Sequence, residues 1–150
     1  GDRRTLEGVM RRLDDDSSDV RVAALSVLAR LAERGDRSVV EAVLDRLRRS
    51  DKRFKLAAVQ ALAQFGECGD DRVVAEVGVC LGESDGHIRE AALQALGQLA
   101  IRGSDRATDA VSVHLGHRDG GVRRTALQAL VQVASRGDDC AISAASARLE

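Results

Sequence analysis

Apolar residues along this chain fall at helical spacing, and the whole pattern then returns at one constant interval. In the segment opened by Val20, the apolar positions are Val20, Ala24, Leu25, Leu28, Leu31 and Ala32. They form one broad stripe at the 3.6-residue period. Val39, Val40, Val43, Leu44 and Leu47 repeat the logic in the next segment, and strand alternation fits neither stretch. The pairs Val20-Arg21, Phe54-Lys55, Ile88-Arg89 and Val122-Arg123 are evenly spaced, with no insertion or deletion between them. Gly1, Gly35, Gly69, Gly103 and Gly137 share a column, as do Leu13, Leu47, Leu81, Leu115 and Leu149. The chain therefore divides into four repeats of equal length, 1–34, 35–68, 69–102 and 103–136, and a half repeat, 137–150, within a single domain of residues 1–150.

Each repeat reads as two helices joined by short turns, so neighbouring helices must run antiparallel. The glycine column follows the last apolar turn of a helix, where a left-handed residue at C′ is expected. Asp2, Asp36, Asp70 and Asp138, with Ser104 in repeat four, are the expected N-caps of the first helices. Asp51, Asp85 and Asp119 are the expected caps of the second helices, with Ser17 standing in for them in repeat one. One such hairpin cannot cover its own apolar face, and stacking on its neighbours buries it. Small residues in the columns Ala24/Ala58/Ala92/Ala126 and Ala23/Ala57/Ala91 allow close helix approach. The predicted fold is all-α: a right-handed α-solenoid of antiparallel helix pairs, with about nine helices.

Composition narrows the function classes. With 23 Lys+Arg against 24 Asp+Glu, the net charge of −1 gives no bulk attraction to nucleic acid or to an anionic membrane. No apolar run approaches the roughly 20 residues of a membrane span, and the first residues carry no signal-peptide core. Three cysteines at no metal-type spacing suit a reducing, intracellular setting, and the expected location is cytoplasmic.

The pattern [Val/Phe/Ile]-[Arg/Lys]-x-[Ala/Thr]-Ala-[Leu/Val]-x-x-Leu, set after a loop bearing Asp, resembles HEAT repeats. The resemblance is nearest to the short HEAT-like kind also found in phycobilin lyases, and it runs through the whole chain. Tetratricopeptide repeats share the length but want Trp, Tyr and Pro, none of which occurs here. Ankyrin's Thr-Pro-Leu-His is absent as well.

The basic column Arg21, Lys55, Arg89 and Arg123 lies inside the apolar arc of the second helices rather than opposite it. A charge there must lay its stem on apolar surface and find an acid or carbonyl partner. The resemblance implies a structural ladder between repeats, with Asp15 or Asp16, Asp51, Asp85 and Asp119 as its acids. Upstream, where family members often carry another loop acid, three repeats have Arg49, Glu83 and His117.

Candidates for chemistry are few. His114 and His117 are spaced i, i+3, with Cys80 in the His114 column one repeat earlier, but no third acidic ligand is fixed beside them. No metal, cofactor or catalytic residue is assigned. A HEAT-like di-iron hydroxylase uses His-Glu pairs at its repeats; here His87 and Glu90 supply that spacing once only. Arg34-Gly35-Asp36 and Arg136-Gly137-Asp138 match an adhesion tripeptide but read more simply as turn glycine followed by capping acid. The basic run from Arg46 to Lys55 is confined to one loop edge and lacks the aromatic interleaving of a nucleic-acid face.

The most suggestive feature is a polar stripe on the second helices, opposite the apolar arc. It runs Ser26 and Arg30, Gln60 and Gln64, Gln94 and Gln98, Gln128 and Gln132, beside the variable positions Val22, Leu56, Glu90 and Arg124. The resemblance places these helices on a concave side, where an amide track suits the backbone of an extended peptide. Gln is also a good helix former that needs no partner. The expectation is a non-enzymatic scaffold for a protein or peptide, a segment of a longer array or one that associates end to end through Met10, Leu13, Ile142 and Leu149. A lyase-like or metal-assisted enzyme and a nucleic-acid solenoid are the alternatives.

Overall fold

The computed structural model describes residues 2–101 and 104–134, and eight α-helices and no strand occur among them. By its internal contacts the chain divides into two compact halves, Gly1–Glu67 and Cys68–Glu150. The first holds α1 (Arg3–Arg11), α2 (Ser18–Leu31), α3 (Arg37–Leu47) and α4 (Lys52–Phe65). The second holds α5 (Asp71–Val79), α6 (Gly86–Leu99), α7 (Asp105–Ser112) and α8 (Gly120–Val133). The half repeat 137–150, with its expected ninth helix, lies outside the described residues, as do Gly1, Gly103, Asp138 and the second Arg-Gly-Asp.

In each half two hairpins stack, second helix on second helix. In the first half α2 packs along α4, and α1 lies against α2 and α3; in the second α6 packs along α8 and α5 along α7. Leu25, Leu28, Val39, Val43, Phe54 and Leu62 are fully buried in the first core. Val73, Val77, Leu81, Leu96, Leu99 and Val111 are fully buried in the second. Burying one Leu or Val completely stabilises by roughly 1.5–3 kcal/mol, so these columns carry the fold.

The leucine column holds its place even where the helix does not. α1 and α5 end in short 3-10 turns, Arg12–Asp14 and Cys80–Gly82, whereas α3 runs unbroken through Leu47. Leu13, Leu47, Leu81 and Leu115 are nevertheless at most 3% exposed, because side-chain burial outweighs the modest cost of tightening a helix end.

Asp36 caps α3 through the amides of Ser38 and Val39, and Asp70 caps α5 through Arg72 and Val73. Asp2 and Ser104 cap α1 and α7. Asp51, Asp85 and Asp119 do the same for α4, α6 and α8. Ser17 departs from expectation: it holds the N-cap position of α2, but its side chain caps nothing. The Asp15 carboxylate instead accepts from the Ser17 amide at 2.9 Å, an Asx turn that fixes the entry to α2.

The glycine column also differs from expectation. α2 ends in the extended residue Ala32, and Gly35 follows three residues later rather than at C′. Gly35 has φ +81°, in a turn closed by the Asp36 amide and the Glu33 carbonyl at 3.0 Å. A positive φ at that third position is what a type II turn requires, and glycine supplies it without steric cost. At the N-terminal end, Leu13 is buried rather than partly facing solvent, while Met10 is half-buried.

Candidate functional site

The polar stripe is exposed along its whole described length: Ser26 and Arg30 on α2, Gln60 and Gln64 on α4, Gln94 and Gln98 on α6, Gln128 and Gln132 on α8. Helical i, i+4 spacing sets each pair on one face, one turn apart. In the first half the position one turn before the pair is apolar and half-buried, Val22 and Leu56; in the second it is charged and exposed, Glu90 and Arg124. The Ser26 hydroxyl is committed to the Val22 carbonyl at 3.2 Å. Gln132 lies across α6 over Gly97, where a Cβ would stand 2.7 Å from its Oε1. Gly97 replaces the alanine of the two earlier repeats, and that notch lets the amide lie flat on the neighbouring helix.

On the loop side, the arginines of the basic column tie down the turn before their own helices. Arg21 Nη1 donates to the Asp15 and Asp16 carbonyls at 2.7 and 3.1 Å, and Arg89 Nη1 to those of Glu83 and Ser84, both at 2.9 Å. Arg123 repeats the geometry on His117 and Arg118 at 2.7 and 2.9 Å. Orphan carbonyls are thus satisfied by a planar fork whose stem lies on apolar surface. Arg21 Nη2 also reaches the Asp51 carboxylate of the next repeat at 2.8 Å. Asp15 and Asp16 therefore meet Arg21 through main-chain oxygens, and the carboxylate partner is Asp51. Lys55 is half-buried at the matching position of α4.

These contacts set the local electrostatics. The Phe54 amide, helped by Arg21 and Ser18, holds the Asp51 carboxyl below the ordinary carboxylate range. The amides of Gly121 and Val122 do the same to Asp119, with a smaller pull from Arg89. A further pair was not legible in the sequence: Arg46 grips Asp14 with two hydrogen bonds of 2.7 and 2.6 Å, which lowers the Asp14 carboxyl.

His114 and His117 serve structure. His114 lies beyond the end of α7 and its Nε2 donates to the Gly78 carbonyl in the last turn of α5 at 2.8 Å. His117 Nδ1 accepts from the Asp119 amide at 3.0 Å. Cys80 is buried and Cys68 exposed. Among the described residues no group of three or more His, Cys, Asp or Glu is placed to hold a metal ion. Arg34-Gly35-Asp36 is divided among structural tasks: Arg34 donates to the Gly66 carbonyl at 3.2 Å, Gly35 makes the turn and Asp36 caps α3. No described helix is long and apolar enough to cross a membrane.

Stacked antiparallel helix pairs with recurring caps define an α-helical repeat protein of the solenoid class. The family description "HEAT repeats" matches residues 6–96, and the chain belongs to that family. Among solved structures, the chain is similar to an engineered protein from a structural genomics consortium, at 24% identity and a TM-score of 0.67, over 96% of this chain and 68% of that one. It is also similar to a designed armadillo repeat protein solved in complex with the peptide (KR)4, at 15% identity and a TM-score of 0.63, over 95% of this chain and 70% of that one. No curated protein matches the sequence.

Proposed function

We propose that the chain is a non-enzymatic protein-interaction scaffold whose second helices hold an extended segment of a partner protein. The observation that carries this reading is the amide pair repeated on α6 and α8 of the second half, exposed in both and free of hydrogen bonds among the described residues. A carboxamide offers both a donor and an acceptor, so a row of them matches main-chain N–H and C=O groups whatever the side chains. Within the second half the position beside the pair changes from Glu90 on α6 to Arg124 on α8, which suits side-chain discrimination next to a uniform backbone grip. A designed repeat protein of this fold class holds a peptide, which supports the same use here.

The test is selection of binders from a library of extended peptides, followed by Gln94→Ala with Gln98→Ala and, separately, Gln128→Ala with Gln132→Ala. Each double substitution is expected to weaken the selected peptide at least tenfold while leaving the thermal midpoint unchanged or slightly raised, since alanine is the better helix former. Unchanged affinity in both would overturn the reading.

A further inference from the structure

We infer that the segment held by α6 and α8 is a polyproline II stretch with a basic and an acidic side chain three residues apart. The basic one stands against Glu90 and the acidic one against Arg124. The inference rests on the proposed peptide-binding use of the amide pairs and names the chemistry of the partner.

Glu90 and Arg124 share one column of the repeat, on second helices that pack along each other. Both are exposed, and neither makes an ion pair or a hydrogen bond among the described residues. The first half shows what opposite charges do when they close on each other across such helices. There Asp19 on α2 and Arg53 on α4, mates in the column one turn earlier, meet at 2.8 Å. In the second half those places hold His87 and Gly121, and no such pair forms. The flanking arginines Arg89 and Arg123 are turned to the loop carbonyls. One negative and one positive side chain thus stand uncommitted on neighbouring helices, each one turn from an amide pair.

Spacing selects the conformation. The axes of packed helices lie roughly 8–10 Å apart. Gln132 of α8 already reaches over Gly97 of α6, so one segment can lie across both helices. Side chains on one side of a β-strand recur about every 6.7 Å, out of step with that distance. On a polyproline II helix they recur every third residue, about every 9.3 Å, and stay in step with it. This conformation also makes no internal hydrogen bonds, so its N–H and C=O groups are open to Gln94, Gln98, Gln128 and Gln132. The amides hold the main chain, and the two charges choose which segment is held.

The probes are blocked octapeptides of the form Ala-Pro-X-Ala-Pro-Z-Ala-Pro. Proline at every third place favours the polyproline II form and leaves the other amides free to donate. X and Z are Lys and Glu in either order, both Lys, or both Glu; one further probe sets Lys and Glu two residues apart. Titration of the full chain is followed by the backbone amide shifts of α6 and α8. The opposite-charge probes are expected to bind roughly fivefold or more tighter than the like-charge ones at low salt. Glu90→Lys should make the Glu/Glu probe the tightest, and Arg124→Glu the Lys/Lys probe. Thermal midpoints should not move, because both positions are exposed. A ranking that neither substitution alters, a preference for the two-residue spacing, or no binding of any probe would overturn the proposal. Gln94→Ala with Gln98→Ala is expected to weaken all probes alike and keep their ranking. If that change weakens probes that charge does not rank, the charge selection falls and the amide grip stands. A ranking kept at undiminished affinity would remove the grip and leave the selection.

Discussion

The backbone amide of Gly35 donates to the carbonyl of Phe65 at 2.7 Å, and one repeat later Gly69 does the same to Leu99. Phe65 and Leu99 are the last residues of α4 and α6, whose final carbonyls have no partner within the helix. The glycine that opens a repeat therefore caps the helix that closes it. Both glycines have positive φ, +81° at Gly35 and +83° at Gly69, so that the chain turns away into the next helix just after the capping amide.

Gly35→Ala is accordingly expected to destabilise the protein by roughly 1–2 kcal/mol, the cost of forcing an L residue into the left-handed region. Gly69→Ala should cost about the same, because the added Cβ would meet only the flexible end of Ile101. Gly8→Ala is the control: it lies within α1 with nothing near its added Cβ, and should stabilise by roughly 0.5–1 kcal/mol. Urea denaturation of the three variants checks the signs.

The arginines make a second prediction. Arg89 is half-buried and satisfies two carbonyls, so Arg89→Ala should lower stability by roughly 1–3 kcal/mol. Arg123 makes the same two contacts from an exposed position, where water can replace the guanidinium, and Arg123→Ala should cost less. An unshifted Arg89→Ala melting curve would refute a structural role for the column.

Helices and caps were legible because both are local. The apolar stripes, the Asp-led turns and the leucine column recur in every repeat, and any single repeat shows them. Two of the cross-repeat contacts were not. Arg46 meets Asp14 and His114 rests on Gly82, contacts whose offset falls short of a full repeat. That offset is fixed by how hairpins slide on one another and not by any column. The acceptor of the Gly35 amide is hidden from local pattern for a similar reason, since Phe65 lies at the far end of the repeat. The glutamine stripe was legible as a pattern, but the notch at Gly97 that receives Gln132 required the packed helices.

Thr108 offers a test of packing against polarity. It stands in the column of Leu6, Val40 and Val74, is fully buried, and its hydroxyl has no hydrogen-bond partner. Thr108→Val keeps the shape and removes the stranded group, so it should stabilise by about 1 kcal/mol. In a chain of this size that is a rise of roughly 2–4 °C in Tm.

The depressed carboxyls predict the acid limb of stability. Asp14, Asp51 and Asp119 all have folded pKa values below the ordinary 3.8. Their contribution is complete above the unfolded value and is lost as pH falls through the folded ones. Denaturation midpoints should drop below about pH 4, and Asp51→Asn should shallow that drop while lowering stability at neutral pH.

His114 acts in the opposite charge sense and at higher pH. Burial disfavours its cation, so its folded pKa lies below the ordinary 6.5 despite the Gly78 carbonyl that accepts from Nε2. A group that binds its proton more weakly when folded withdraws stability as pH falls from the unfolded value toward the folded one. Denaturation midpoints should therefore already decline as pH falls through the ordinary 6.5, before the carboxyls titrate. His114→Gln keeps a side-chain donor for Gly78 but cannot take up the proton. It should remove this early decline without altering the acid limb below about pH 4, and an identical profile in the variant would assign the decline elsewhere.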